Sequence, residues 1–393
     1  MLLELLALFI GIIAGTITGL IPGIHINLIS SLSLTLPSAF FSFPLAIFIT
    51  SMSITHTFTD FLPSIFLGAP DEDSALSVLP GHKLLLQGKG YLATLLTVYG
   101  SLAGIFIIIL FIPIFIYILP IIYPYIEKFI PFILILASLF LLIKEENKFL
   151  AIIIFLLAGT LGLVNLNLNI SNPLLPLLSG LFGSSTLLNS ILQKTKIKKQ
   201  SLKTEKIKKR KIFSSIIPSI FASPLVSFLP SLGASQAAII SLGLKNKQNP
   251  KSFLILLGSI NTVVMGLSFI TLYTIQKART GSALAVSKIL SNFSFNHLII
   301  LLTTIIISAI FASYITLFLA KKLAKNITKI KYSLISILIL IFITIIIIYL
   351  SNFLGFLTFL AATCLGIFCI LKKVRRIHLM GALMLPVIIF YLF

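Results

Sequence analysis

Carboxylates are scarce in this chain, and they are concentrated. Its three aspartates, Asp60, Asp71 and Asp73, fall within fourteen residues that also hold Glu72, with His56 just before them and His82 just after. Asp60 sits inside the apolar run ITHTFTDFLPSIFLG. A carboxylate at membrane depth is costly enough that it is usually retained for an ion or proton pathway. His56 lies four residues earlier on the same helical face, where it could share a proton or an ion with Asp60. The plainer reading is a satisfied pair facing a polar cavity. Asp71-Glu72-Asp73-Ser74 follows the helix-breaking Gly68-Ala69-Pro70. Acids at a helix N-terminus complement the dipole and cap free amides, but three in a row exceed what a cap requires. Their oxygens, with nearby backbone carbonyls, suit a hard cation such as Na⁺. Na⁺ or H⁺ as a coupling ion, with no other cofactor, is the corresponding expectation.

These residues have counterparts. SALSV at 74–78 returns as SALAV at 282–286, and Leu-Ile-Pro-Gly-Ile at 20–24 faces Phe-Leu-Pro-Ser-Leu at 228–232, both at an offset of 208 residues. Two matches at one offset indicate an internal duplication. At that offset Arg279 stands where the first half has Asp71, within Gln276-Lys277-Ala278-Arg279-Thr280-Gly281-Ser282. An Arg beside free helix N-terminal amides can hold a carboxylate or phosphate. The rival is an Arg279–Asp71 salt bridge that only locks the halves together. The bends Pro22-Gly23-Ile24-His25-Ile26-Asn27 and Pro230-Ser231-Leu232-Gly233-Ala234-Ser235 free backbone N–H groups, and such tips can bind an anion. Asn261-Thr262, inside another apolar run, points to the same cavity. Gly11, Gly15 and Gly19, spaced by four, read instead as a helix-packing stripe.

The elements that must carry these residues are set by composition. Hydrophobic residues make up 58% and charged residues 10%, with a mean hydropathy of +1.15, far outside the range of soluble domains. The expected fold is an all-α polytopic membrane protein. Continuous Leu/Ile/Phe runs, rather than alternation, argue against a barrel. The opening MLLELLALFIGIIAG lacks a basic n-region and reads as a first span rather than a cleaved signal. Apolar runs place spans near 2–20, 45–67, 92–118, 120–143, 149–165 and 174–193, then near 212–228, 252–275, 296–320, 332–350, 353–371 and 377–393. The segments 24–36 and 232–244 are too short to cross alone, and each follows a Pro as the returning arm of a re-entrant hairpin.

The domains are therefore a membrane repeat over 1–193, a basic loop over 194–211 and a second repeat over 212–393. Ten of the thirty Lys/Arg lie between Lys194 and Lys211. With that loop cytoplasmic, solvated or facing lipid headgroups, the clusters at 321–331 and 372–376 also fall inside. The N-terminus then starts outside, and the two repeats are inverted.

The net charge of +21 reflects these loops rather than nucleic-acid binding, since no aromatic residues interleave with the lysines. Cys364 and Cys369 share one apolar span and imply no disulfide framework. No HExxH, Walker loop or GxSxG occurs, and Asp71 and Asp73 are too near Asp60 in sequence for an intramembrane aspartyl protease, so no enzyme is expected. Zinc on His25, His56 and Asp60 is disfavoured.

The segments GLIPGIHINLIS at 19–30, FLPSIFLGAPDEDSALSVLPGHKLLLQGKGYLA at 61–93 and GSINTVVMGLSFITLYTIQKARTGSALAV at 258–286 resemble the large membrane subunit of tripartite tricarboxylate transporters, the TctA-like permeases, and especially their shorter archaeal-type relatives. The resemblance implies ion-driven uptake of a citrate-like di- or tricarboxylate, with a periplasmic binding protein and a small membrane subunit as partners. The sequence departs from the bacterial pattern at His25 and Ser231, where glycines are usual, and in its shorter length. Transport of an organic anion across the cell membrane is the reading adopted. The alternatives are a lipid or polyprenyl-phosphate flippase, whose basic loops would gather anionic headgroups, and a membrane scaffold. The oligomeric state is not legible.

Overall fold

The computed structural model describes residues 2–21, 42–68, 74–192, 197–203, 209–228, 233–244, 249–278, 280–290, 292–329 and 332–392. The expectations for Pro22, Gly23, His25, Asn27, Asp71, Glu72, Asp73, Pro230, Ser231 and Arg279 lie outside those residues. Among them every regular element is helical. The first half comprises α1 (Leu2–Leu20), α2 (Ser42–Thr59), α3 (Phe61–Phe66), α4 (Val78–Leu86), α5 (Gly90–Tyr117), α6 (Leu119–Ile126), α7 (Ile130–Ile143), α8 (Lys148–Asn167), α9 (Leu174–Leu178) and α10 (Ser185–Leu192). The second comprises α11 (Lys209–Ser227), α12 (Ala234–Leu244), α13 (Pro250–Ile275), α14 (Gly281–Ile289), α15 (Phe295–Asn326), α16 (Tyr332–Leu371) and α17 (Gly381–Leu392).

Seven helices among the described residues are long and apolar enough to cross a membrane, with Ser42–Phe66 counted as one, and an eighth candidate is the bent pair α6–α7. This is a multi-pass membrane protein. The run 120–143, expected as one span, is instead two helices meeting at 67°. Pro124 inside α6 and Pro131 at the start of α7 each remove a backbone donor, which breaks the helix there. The expected break between 350 and 353 falls at Asn352, whose backbone leaves the helix (φ 57°, ψ −171°). Its side chain accepts from Gly355 N at 3.4 Å and donates to Asn169 O at 3.1 Å, so Asn352 starts the second segment as a cap.

The halves repeat in structure at the sequence offset. α2 begins at Ser42 and α13 at Pro250, 208 residues apart, and α1 and α11 match to within one residue. The contacts repeat too: α1 packs on α2 as α11 packs on α13, and α5 crosses α13 as α15 crosses α2. Gly11, Gly15 and Gly19 are a packing stripe, since a Cβ at any of them would collide with Ser51, Met52, Thr55 or Thr59 of α2. Burial ranks the helices. The apolar window of α13 is 94% buried and that of Ser42–Phe66 89%, against 22% for Ser336–Leu371, so α2 and α13 form the centre and α16 the rim.

At the rim, a π-helical turn at Ser179–Ser184 joins α9 to α10. The buried Arg376 donates from Nη2 to the Leu181 and Phe182 carbonyls, each at 2.7 Å, satisfying oxygens that the wide turn spaces apart. Next to it Glu145, between α7 and α8, accepts from Arg375 Nε at 2.5 Å and pairs with His378 Nε2 at 2.7 Å. Burial acts to raise the Glu145 carboxyl, but the bonds from His378 and Arg375 outweigh it and hold it below its ordinary value.

Within the 194–211 loop the described Lys and Arg side chains are exposed, whereas Gln200 is only 8% exposed and docks against the turn between α4 and α5, and helix α11 begins at Lys209.

Candidate functional site

Helix α2 carries an unusual load of polar side chains for a central membrane helix. Thr50, Ser51, Ser53, Thr55, His56, Thr57, Thr59 and the adjoining Asp60 are all buried. Past Asp60 the helix forgoes one backbone bond, because Pro63, in α3, has no N–H for the Thr59 carbonyl, yet Asp60 itself stays helical (φ −62°, ψ −22°) and bonds to the His56 carbonyl at 2.9 Å. Its carboxylate is 2% exposed.

Ser53, Thr57 and Asp60 lie at i, i+4 and i+7, one face of a helix, and that face meets the second half. Asn261 Nδ2 of α13 donates to Asp60 Oδ2 at 2.9 Å. Thr57 Oγ1 and Thr262 Oγ1 are 3.4 Å apart. Ser53 Oγ donates to Ser282 Oγ at 2.8 Å. The row extends to Thr280, whose Oγ1 caps α14 by accepting from Ala283 N at 3.2 Å and lies 3.0 Å from Ser268 Oγ of α13. A seam of polar pairs thus joins α2 to α13 and to the N-terminus of α14, all of it buried.

His56 shares a helix with Asp60 but faces another neighbour, its Nδ1 lying 3.0 Å from Thr18 Oγ1 of α1. One turn apart, the two groups serve different interfaces. Ser74 lies apart from the seam, fully buried, where its carbonyl accepts from Ser77 Oγ at 2.7 Å and from Ser64 Oγ at 3.3 Å. Gly233 and Ser235 stand at the start of α12, the Gly233 carbonyl accepting from Ala237 N at 3.2 Å, and Ser235 is 1% exposed.

Of the residues singled out from sequence, Asp60, Asn261, Thr262, Thr280 and Ser282 therefore belong to one constellation. Ser53, Thr57 and Ser268 belong to the same buried network and were not singled out, nor was Thr18, the partner of His56 at the separate α1 interface. The signal for the first two was present in SMSITHTFTD, whose hydroxyls recur at helical spacing. Among the described residues no group of three or more His, Cys, Asp or Glu side chains is arranged to hold a metal ion. Chemically, the seam offers one carboxylate, one amide and a row of hydroxyls, groups that exchange hydrogen-bond partners without a covalent step.

His82, on α4, is buried next to this region. Desolvation pushes its imidazole down to about 4, against a smaller upward effect of a backbone hydrogen bond at Ile65, so it is neutral at physiological pH.

A family model described as "Tripartite tricarboxylate transporter TctA family" matches residues 5–381. An uncharacterized protein of Methanocaldococcus jannaschii is 32% identical over 404 residues, a match covering 100% of each chain. No solved structure matches.

Proposed function

The chain belongs to the tripartite tricarboxylate transporter TctA family, and from that premise we propose that it is the large membrane subunit of a secondary transporter moving an organic anion, a di- or tricarboxylate, coupled to Na⁺ or H⁺. The single observation that carries this reading is the buried Asp60–Asn261 pair, where the central helices of the two halves meet. A carboxylate retained at such depth is a functional group by default, and the interface between two repeats is where transporters place their sites.

In this reading the halves are inverted repeats that alternate access by moving along the α2–α13 seam. Hydroxyl pairs such as Thr57–Thr262 and Ser53–Ser282 suit that motion, since the α2 partner of each pair can bond to its own helix when the seam opens: Thr57 Oγ1 also reaches Ile54 O at 2.8 Å and Ser53 Oγ reaches Ile49 O at 2.6 Å. Arg279 and the tips at 22–27 and 230–235 take the anion, and Asp60, with the acids at 71–73, takes the coupling ion. The protein sits in the cell membrane with its N-terminus outside and the 194–211 loop in the cytoplasm, served by a binding protein and a small membrane subunit.

The test is uptake of radiolabelled citrate and succinate into proteoliposomes under an imposed Na⁺ or pH gradient. Asp60→Asn and Arg279→Ala each abolish uptake while the purified protein remains monodisperse. Wild-type uptake by Asp60→Asn overturns the site assignment.

A further inference from the structure

Helix α5 begins with an unusual defect. Its N-cap residue is Lys89, whose side chain makes no capping bond, so the first amides of a 28-residue helix need a partner from elsewhere. Gln200 supplies it. Its Oε1 accepts from Gly90 N at 2.8 Å, across 110 residues of sequence, while its Nε2 donates to the Leu85 carbonyl at 3.0 Å and the Lys198 carbonyl at 2.6 Å. One side chain thus bonds the end of α4 to the start of α5.

The backbone is shaped for this. α4 ends with Gly88 at φ +79°, and Lys89 N donates to Leu84 O at 2.8 Å while Gly88 N donates to Leu85 O at 2.9 Å, the paired bonds of a glycine-terminated helix. That turn leaves the Gly88 carbonyl available to the linker, and Ser201 N donates to it at 2.8 Å. Both glycines of Gly88-Lys89-Gly90 are needed for close approach, since a Cβ at 88 would stand 2.8 Å from the Lys199 carbonyl and one at 90 would stand 3.0 Å from Gln200 Oε1.

We propose that Gln200 is a positioning residue for transport: the linker between the halves caps α5 from outside its own half and so fixes α4, which packs on both α3 and the central helix α13. This rests on the transport reading above, because it assigns Gln200 a part in that motion without contact with the anion. The linker adds to the turn's own backbone bonds, so loss of the cap loosens α4 at the edge of the seam and leaves the anion-binding groups intact.

Two measurements on the full-length protein test it. In Gln200→Ala, hydrogen exchange of the amides at 88–90 and 197–203 accelerates about fivefold or more, the factor expected from losing one net hydrogen bond, with the rest of the protein unchanged. In proteoliposomes the same variant lowers the maximal citrate uptake rate about threefold or more while leaving KM unchanged, the loss expected when a weakened helix cap acts on a moving part. Gln200→Met keeps a side chain of similar length and volume while removing both the acceptor and the donor, and is as impaired as Gln200→Ala. Unchanged exchange at 88–90 in Gln200→Ala, or faster exchange with a wild-type uptake rate, overturns the proposal. So does a Gln200→Met variant with wild-type exchange and uptake, which would mark packing rather than capping. The exchange measurement reads the cap whether or not citrate is carried, so its failure is distinct from failure of the transport assignment.

Discussion

The turn between α4 and α5 and the turn between α14 and α15 occupy equivalent places in the two halves, yet they are finished by different means. In the second half the capping is local: Ser294 Oγ accepts from His297 N, and His297 Nδ1 accepts from Ser294 N, both at 3.3 Å. This is a reciprocal box within four residues. In the first half the Lys89 side chain makes no capping bond, and the cap arrives from Gln200 in the linker. At the offset of 208 residues the helices and their packing correspond while the helix ends differ. One half closes its own helix; the other depends on the chain that leaves it.

Substitutions at matched positions sharpen that contrast. The largest effect is expected at the glycine that receives the linker. Gly88→Ala forces a left-handed backbone on a residue with a side chain and presses on the Lys199 carbonyl, costing about 2 kcal/mol. At the position 208 residues later Asn296 lies exposed in the first turn of α15, and Asn296→Ala shifts the thermal midpoint in detergent little in either direction. Comparable midpoints for the two variants would erase the distinction. Next, Ser294→Ala removes the local cap and costs about 1 kcal/mol, without altering exchange at 88–90. A response in the first half to this change would show that the caps are not independent.

The smallest difference is one of acid response. His82 is buried with its pKa lowered to about 4 from 6.5, whereas Leu290 holds the matching place in the second half. Below pH 6.5 an unfolded His82 binds a proton that the folded one refuses, so the stability contributed by the neutral ring is lost as pH falls from 6.5 towards 4. His82→Gln flattens that part of a midpoint-against-pH curve, and an unchanged slope would remove His82 as its source.

Most of the fold was legible because apolar runs and breakers act locally. The break at Asn352 and the start of the second half follow from residues in plain sequence. The bend within 119–143 was missed because Pro124 and Pro131 are tolerated singly in membrane helices, and only their pairing breaks the span. The seam was half legible. Asp60, Asn261 and Ser282 stand out as polar groups in apolar surroundings, whereas Ser53 and Thr57 pass as hydroxyls bonded to their own helix. The docking of Gln200 was not legible, since a polar residue in a run of lysines carries no local sign of burial; its partners lie 110 and 115 residues away.

The clamp on Gly88 also changes the mechanics of the connection between the halves. A free loop over 194–211 would act as an eighteen-residue leash. With 197–203 fastened to the first half and α11 beginning at Lys209, covalent geometry alone limits the separation of residues 203 and 209 to about 20 Å. Displacement of α11 from the α4–α5 turn is bounded by that length. In the motion proposed above, a larger excursion would have to peel Gln200 off Gly90, so the capping bond would double as an end-stop on that proposed travel.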